Sequence, residues 1–224
     1  MIEEYLEPKR GTFLRRNSRR KLVLSIEEEP LDNVFIINGS SFITKNLSIK
    51  DLSIAPYDYY MLINNRTEQI KIKYNLDISN HDIIYNPYKY EHTQRVKIDP
   101  NSFIDKYNVP EGFSDILSKW YSIKFTYPEY NLIFIKPEMG ISIQVHKFRS
   151  ETWEILEGEP IIINGNKVYY FIKNGTQLVN TKNMFHSVIN PNKNPDEFVK
   201  IKENWSGIFD ENDIDRVYNP NKYY

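Results

Sequence analysis

The chain has 224 residues, with 29 Lys and Arg against 30 Asp and Glu, for a formal net charge of −1. That balance gives no global pull toward nucleic acid or a membrane surface, and 40% hydrophobic residues can form a real core. With no cysteine, disulfides and thiolate metal sites are excluded, and a reducing compartment is compatible. Seventeen Tyr and twelve Phe favour strands over helices. Only eight Gly are present, so turns must lean on Asn, Asp and Pro. The start, Met-Ile-Glu-Glu-Tyr-Leu-Glu, has neither the basic nor the apolar region of a signal peptide. No apolar run approaches the roughly 20 residues needed to span a bilayer. A cytoplasmic protein without membrane or nucleic-acid partners is expected.

In chain order, strands are predicted over residues 34–37, 59–63, 70–74, 131–135, 141–146, 153–156, 160–163, 168–172, 187–189 and 198–202. Asn-Gly pairs at Asn38-Gly39, Asn164-Gly165 and Asn174-Gly175 sit where hairpins should reverse. Residues 112–120 read as a helix, and a second short helix is expected after Phe209, with Asp210 as N-cap. Arg15, Arg16, Arg19, Arg20 and Lys21 form a basic cluster. Glu27–Glu29 follow and offset it, which favours a solvated strand or loop. His81 and His92 stand in polar, turn-rich sequence, where surface positions are expected.

The chain repeats itself. Ile36-Ile-Asn-Gly39 recurs as Ile162-Ile-Asn-Gly165, and the offset of 126 holds to Ile63-Asn64 and Ile189-Asn190, with seven identities in 29 ungapped positions. After a three-residue insertion Ile70-Lys-Ile-Lys73 pairs with Val199-Lys-Ile-Lys202. Coincidence of spacing with turn positions favours duplication, giving two related β domains, 1–100 and 101–224. His186 aligns with Tyr60, and no histidine precedes His81, so the first domain lacks the residues described next.

Those residues are Gln144, His146, Glu151 and His186. Gln144 and His146 are two apart and share one face of a strand. Glu151 follows after a short turn, and His186 lies in a later apolar run. Two imidazoles, a carboxylate and an amide oxygen meeting inside a β-barrel would hold a divalent metal with positions open for substrate. Taken singly, either histidine reads better as a hydrogen-bonded side chain, and Glu151 as a surface carboxylate paired with Arg149.

From about Trp120 to Arg216 the sequence resembles the cupin domain of type II mannose-6-phosphate isomerases. The resemblance is carried by Ile133-Phe-Ile-Lys-Pro-Glu-Met-Gly-Ile-Ser-Ile-Gln-Val-His146 and Arg149-Ser-Glu-Thr-Trp-Glu-Ile-Leu-Glu-Gly158. It continues in Asn183-Met-Phe-His-Ser-Val-Ile-Asn-Pro191 and Phe209-Asp-Glu-Asn-Asp-Ile-Asp-Arg216. Gln-x-His in place of His-x-His is the form used by the phosphomannose isomerase families. Phe148 stands where the family usually has a histidine, and the chain ends Asn221-Lys-Tyr-Tyr instead of the usual Tyr-Gly-Arg. The resemblance implies an all-β bicupin of two jelly-roll barrels, the first degenerate. It also implies a zinc-type metal on Gln144, His146, Glu151 and His186, and mannose-6-phosphate isomerase activity. Lys136, Arg149 and Arg216 become candidates for binding the sugar phosphate, and Lys147 or Glu154 for the base, alongside a metal-bound water. Trp153 shares the parity of Glu151 and is expected to face the barrel. The competing readings are a non-catalytic sugar-binding or structural cupin, a cupin epimerase, and an iron oxygenase. Cupin edges also suit pairing into a homodimer.

Overall fold

The structure, a computed structural model, describes residues 2–27, 32–45, 51–208, 210 and 212–223. The described chain is almost entirely strand and forms two compact units. The first comprises Met1–Pro87 with Asn166–Val168 and Lys222–Tyr224, the second Tyr88–Gly165 with Tyr169–Asn221.

In the first unit the strands are β1 (Ile2–Leu6), β2 (Leu14–Arg16), β3 (Leu22–Ile26), β4 (Val34–Asn38), β5 (Ser41–Ile43), β6 (Leu52–Ile54), β7 (Tyr59–Asn64), β8 (Ile70–Tyr74) and β9 (Asp82–Tyr85). One antiparallel sheet runs β1-β8-β3-β6, and a second runs β5-β4-β7-β2-β9. Strict alternation in Leu22-Val-Leu-Ser-Ile26 and Ile70-Lys-Ile-Lys-Tyr74 sends every second side chain inward. There Leu22, Leu24, Ile72 and Tyr74 meet Val34, Ile36, Tyr60 and Leu62 of the other sheet.

The second half adds α1 (Pro100–Tyr107), β10 (Asp115–Ser118), β11 (Ser122–Thr126), β12 (Asn131–Ile135), β13 (Ile143–Val145), β14 (Arg149–Glu157), β15 (Ile161–Asn164), β16 (Lys167–Tyr169), β17 (Gln177–Asn180), β18 (His186–Ile189), β19 (Val199–Gly207) and β20 (Asp215–Tyr218). The segment Asn166–Val168 belongs to the first unit, where Lys167 pairs with Ser41. Within the second unit one sheet runs β10-β11-β12-β19-β14-β17 and the other β20-β13-β18-β15. Trp153, Ile155, Val199 and Ile201 of the first sheet pack with Ile162 and Val188 of the second. On the outer face of β11 and β12, α1 seats Phe103 against Phe134, with ring centroids 5.0 Å apart.

The duplication extends past the segment where the sequence reveals it. Leu6–Ile70 in β1 and β8 corresponds to Ile135–Val199 in β12 and β19, and Leu24–Tyr74 corresponds to Trp153–Glu203. Ile36–Leu62 becomes Ile162–Val188, and Arg15–Tyr60 becomes Gln144–His186. Even the irregularity between Leu14 and Arg15 recurs between Ile143 and Gln144. Asn64 and Asn190 make the same buried corner: Asn64 Nδ2 donates to the Leu6 and Glu68 carbonyls, and Asn190 Nδ2 to those of Ile135 and Glu197.

Two sequence expectations are corrected. Residues 112–120 are not helical, because Asp115–Ser118 closes a hairpin with β11 that leaves Ile116 half-buried and Leu117 exposed. The helix lies at Pro100–Tyr107 instead. Asp99 caps it by accepting from Ser102 N, Pro100 fills the first turn, and Asn108 closes it in the left-handed region at φ 47°. After Asp210 the described chain enters β20 and not a helix, while Phe209 and Glu211 lie outside the described residues. So do residues 28 and 29 of the acidic run. No helix among the described residues is long and apolar enough to cross a membrane.

Candidate metal centre

Alternation along β14 turns Arg149, Glu151, Trp153 and Ile155 inward. Opposite Trp153, β19 presents Glu203, which shares the parity of the buried Val199 and Ile201. His186 opens β18, whose four residues are all buried, and faces Gln144 of β13. His146 begins the turn from β13 into β14. That turn is held by Asp213, whose carboxylate accepts from the backbone N–H groups of Lys147 and Phe148 at 2.9 Å each. Gly158 ends β14 at φ +85°, where an added Cβ would lie 2.9 Å from Val199 Cγ2, so glycine lets β19 pass close by.

His146, Glu151 and His186 converge, with one ligand atom from each lying within 4.8 Å of the others. His146 Nε2 is 3.1 Å from Glu151 Oε1, and His186 Nε2 is 3.7 Å from Glu151 Oε2. All three side chains are at most 2% exposed. Each imidazole is tied through its other nitrogen: His186 Nδ1 donates to the Met184 carbonyl at 2.9 Å, and His146 Nδ1 to the Asp213 carbonyl. With Nδ1 as the donor in each ring, both Nε2 atoms stand beside Glu151, where neutral imidazoles would offer their lone pairs to a metal. Ligands about 2.1 Å from a dication sit roughly 3.0–3.4 Å apart, close to these spacings. A buried His–Glu–His donor set of this kind could hold a divalent metal.

Charge in the cluster is strongly shifted. Burial opposes ionisation of Glu151, but His146, His186 and Arg149 outweigh it and hold the carboxyl at about 2. Burial pushes the His186 imidazole down to about 4, keeping it neutral. Burial also works against protonation of His146, yet Glu151 and the Asp213 carbonyl prevail and raise it. Glu203 moves the other way, pushed up to about 7 by burial and then by the charge of Glu151.

A cavity of about 100 Å³ adjoins the cluster. Gln144, Glu151, Trp153 and Glu203 line it, and so do four cations, Lys119, Lys124, Arg149 and Arg216. Trp153 Nε1 lies 3.2 Å from Glu151 Oε2 and 3.1 Å from Glu203 Oε2, so one N–H is shared between two carboxyls.

The predicted site residues are distributed unevenly around this cavity. Gln144 reaches it, with Nε2 3.4 Å from His186 Nε2 and Oε1 accepting from Ser142 Oγ at 2.8 Å. Arg216 lines the cavity beside Gln144. Arg149 lines it too but is engaged: Nε donates to Glu151 at 2.8 Å, Nη1 to the Asp210 carbonyl, and Nη2 stands 3.2 Å from His146 Nε2. Lys136 does not line the cavity and places its ammonium over the Tyr90 ring. Glu154 falls on the opposite face of β14 because it is three residues from Glu151. Lys147 is exposed and paired with Asp215 at 2.7 Å. Phe148 is 55% exposed. His81 is not at the surface: it is buried, and its Nδ1 meets the Tyr60 hydroxyl at 2.7 Å. Lys119, Lys124, Asp213 and Glu203 were not expected from the sequence. Glu203 alone had a readable signal, its parity with Val199 and Ile201.

Residues 119–219 match the family model described as mannose-6-phosphate isomerase C-terminal. This is the segment in which the sequence resemblance lies. None of the curated proteins matches the chain. Among solved structures, the chain is similar to a sugar phosphate isomerase of the cupin superfamily from Silicibacter pomeroyi, at 11% identity and TM-score 0.33, covering 39% of this chain and 60% of that one. It is also similar to an oxalate decarboxylase, at 8% identity and TM-score 0.36, covering 93% and 69%. A vicilin from tomato, Solanum lycopersicum, aligns at 10% identity and TM-score 0.35, covering 94% and 74%.

Proposed function

We propose that the second unit is a metal-dependent aldose–ketose isomerase acting on a phosphorylated hexose, with mannose 6-phosphate and fructose 6-phosphate as the substrate pair. The observation that carries this reading is the buried His146–Glu151–His186 cluster, with both imidazoles held through Nδ1 and their Nε2 atoms turned to Glu151, beside a cation-lined cavity. The match of residues 119–219 to the isomerase family model supports the same class. His146, Glu151 and His186 would hold the dication, with Gln144 as a fourth ligand once its amide turns to exchange Nε2 for the oxygen on the His186 side. Nitrogen and carboxylate donors suit zinc. When bound, the metal supplies Lewis-acid polarisation of the sugar oxygens.

The remaining work falls to the chain's own side chains. Arg216, Lys119 and Lys124 place positive charge along the cavity and would take the phosphate. Trp153 and Ile133 contribute apolar surface for the ring carbons. Arg149 balances Glu151 from one side and steadies the carboxylate's orientation.

Purified full-length protein, assayed for metal content and for interconversion of the two sugar phosphates, tests this reading. Bound metal without turnover of either sugar would remove the isomerase claim.

A second reading is favoured by one contact. Arg149 Nη2 meets the His146 Nε2 lone pair, so the guanidinium can itself serve as the cation of a metal-free, sugar-binding barrel. Protein that binds sugar phosphate in the presence of chelator would favour that alternative.

A further inference from the structure

We infer that Glu203 carries the proton between the two neighbouring carbons of the sugar, with Trp153 as its positioning residue. This inference rests on the isomerase reading above. Aldose–ketose conversion by the enediol route needs one group that takes a proton from one carbon and returns it to the next. Among the residues lining the cavity, the carboxyls are Glu151 and Glu203, and Glu151 is committed to the imidazoles. Glu154 points to the other face of β14, and Lys147 is held outside by Asp215.

Glu203 is built into its place. It is 6% exposed, Asn131 Nδ2 donates to Oε1 at 2.7 Å, and Trp153 Nε1 donates to Oε2 at 3.1 Å. Both bonds come from neutral N–H groups. They fix the carboxyl's direction without pinning its charge, which a cation bonded to it would do.

The first unit supplies the contrast. At the same register Leu24 faces Tyr74, and Tyr74 donates its hydroxyl to Glu4. The ladder therefore forms without a carboxyl or an indole at these positions. A carboxyl buried on two neutral N–H donors is costly to fold even with the charge of Lys124 nearby, so its presence beside the cavity points to chemistry and not to packing.

The step balances within the substrate and one carboxyl. Glu203 as carboxylate takes the proton from C2 of the aldose. The C2–H electron pair forms the C1=C2 bond, leaving the negative charge on O1. The carboxylic acid then delivers the proton to C1, the hydroxyl proton moves from O2 to O1, and the ketose results.

The test compares full-length wild type with E203Q, E203D and W153F in heavy water, using fructose 6-phosphate. Readouts are deuterium incorporation at C1, kcat and KM, and metal content. E203Q is expected to lose about 10³-fold in kcat and in deuterium exchange, with KM within about threefold and metal content unchanged. E203D should recover part of the exchange. W153F should lower kcat about tenfold and move the acidic limb of the kcat profile upward, because an N–H that favours the carboxylate is gone. E203Q retaining kcat within about fivefold, or losing its metal, overturns the assignment while leaving the isomerase reading intact. Metal-loaded wild type that neither exchanges deuterium nor isomerises overturns both.

Discussion

Gln144 and His186 face each other across β13 and β18, and in the first unit Arg15 and Tyr60 occupy that same register. The two pairs show how one scaffold came to carry two interiors. In the first unit the Tyr60 hydroxyl reaches His81 Nδ1 at 2.7 Å, and Arg15 reaches Glu4 at 3.7 Å. Leu22 takes the ladder position that corresponds to Glu151. What is a donor cluster in one unit is a mixed aromatic and aliphatic core in the other.

Glu151 is the residue on which the cluster turns, since both imidazoles address it. Glu151→Ala should lower affinity for a divalent metal by more than about 100-fold, since loss of even a supporting partner costs 10–100-fold. Competition against a chromophoric chelator at pH 7 reads this out. Unchanged affinity would mean that any metal binds elsewhere.

Arg149 should matter most when no dication is present. It is buried and donates to Glu151 at 2.8 Å, so Arg149→Met strands a carboxylate. The expected cost in metal-free protein is about 3 kcal/mol, by the usual penalty for breaking a buried pair. Added zinc should restore most of that loss. Chemical unfolding with and without metal checks both halves of the expectation.

The pH dependence of stability should carry a signature of Glu203. Its folded pKa of about 7 lies above the ordinary 4.5, so the folded state binds the extra proton between these values. The associated stability is complete below pH 4.5 and is lost as pH rises through 7. Glu203→Gln removes that slope and should stabilise metal-free protein relative to wild type at pH 8, by on the order of 2 kcal/mol. His186 acts with opposite sign. Its folded value of about 4 lies below 6.5, so its contribution is complete above pH 6.5 and falls away toward pH 4. Equal pH profiles for wild type and Glu203→Gln would refute the assignment of a raised carboxyl.

Gly207 holds the start of β14 in place. It pairs with Arg149 and has φ +102°, and an added Cβ would lie 2.4 Å from the Phe148 carbonyl oxygen. Gly207→Ala must therefore push the backbone between His146 and Glu151, with a loss of about 2 kcal/mol or more. Metal affinity should fall with it, although no ligand is changed.

Asn64 and Asn190 offer a test of the duplication itself. Either asparagine replaced by alanine removes a buried donor from the carbonyl of Leu6 or of Ile135. Each change should cost about 1–3 kcal/mol, and the two values should be similar. Widely different losses would argue that the corners are not equivalent.

Much of this fold could be read from alternation and turn residues. Strands such as 34–37, 59–63 and 131–135 lie where apolar runs are long enough to register. The shorter β2, β6 and β13 are set by their neighbours and carry little signal of their own. The helix was misplaced onto residues 112–120, whereas the Asp99–Pro100 start had the cap. At the centre, His146, Glu151 and His186 were legible through spacing. Arg149 and Arg216 were named for phosphate, and the Arg149–Glu151 pair was read as a surface contact; the fold shows that pair buried. Lys119 and Lys124 come from strands and turns far from the motif, and nothing local marks them. His81 looked solvent-facing because polar neighbours surround it in sequence, but its ring is drawn in by Tyr60.

Each half of this molecule closes over an interior of its own, and that independence has an evolutionary reading. Once a barrel gene is doubled, one copy can fill its hollow with tyrosine rings and still fold. The other then stays free to keep charged groups in a place where packing alone would never choose them.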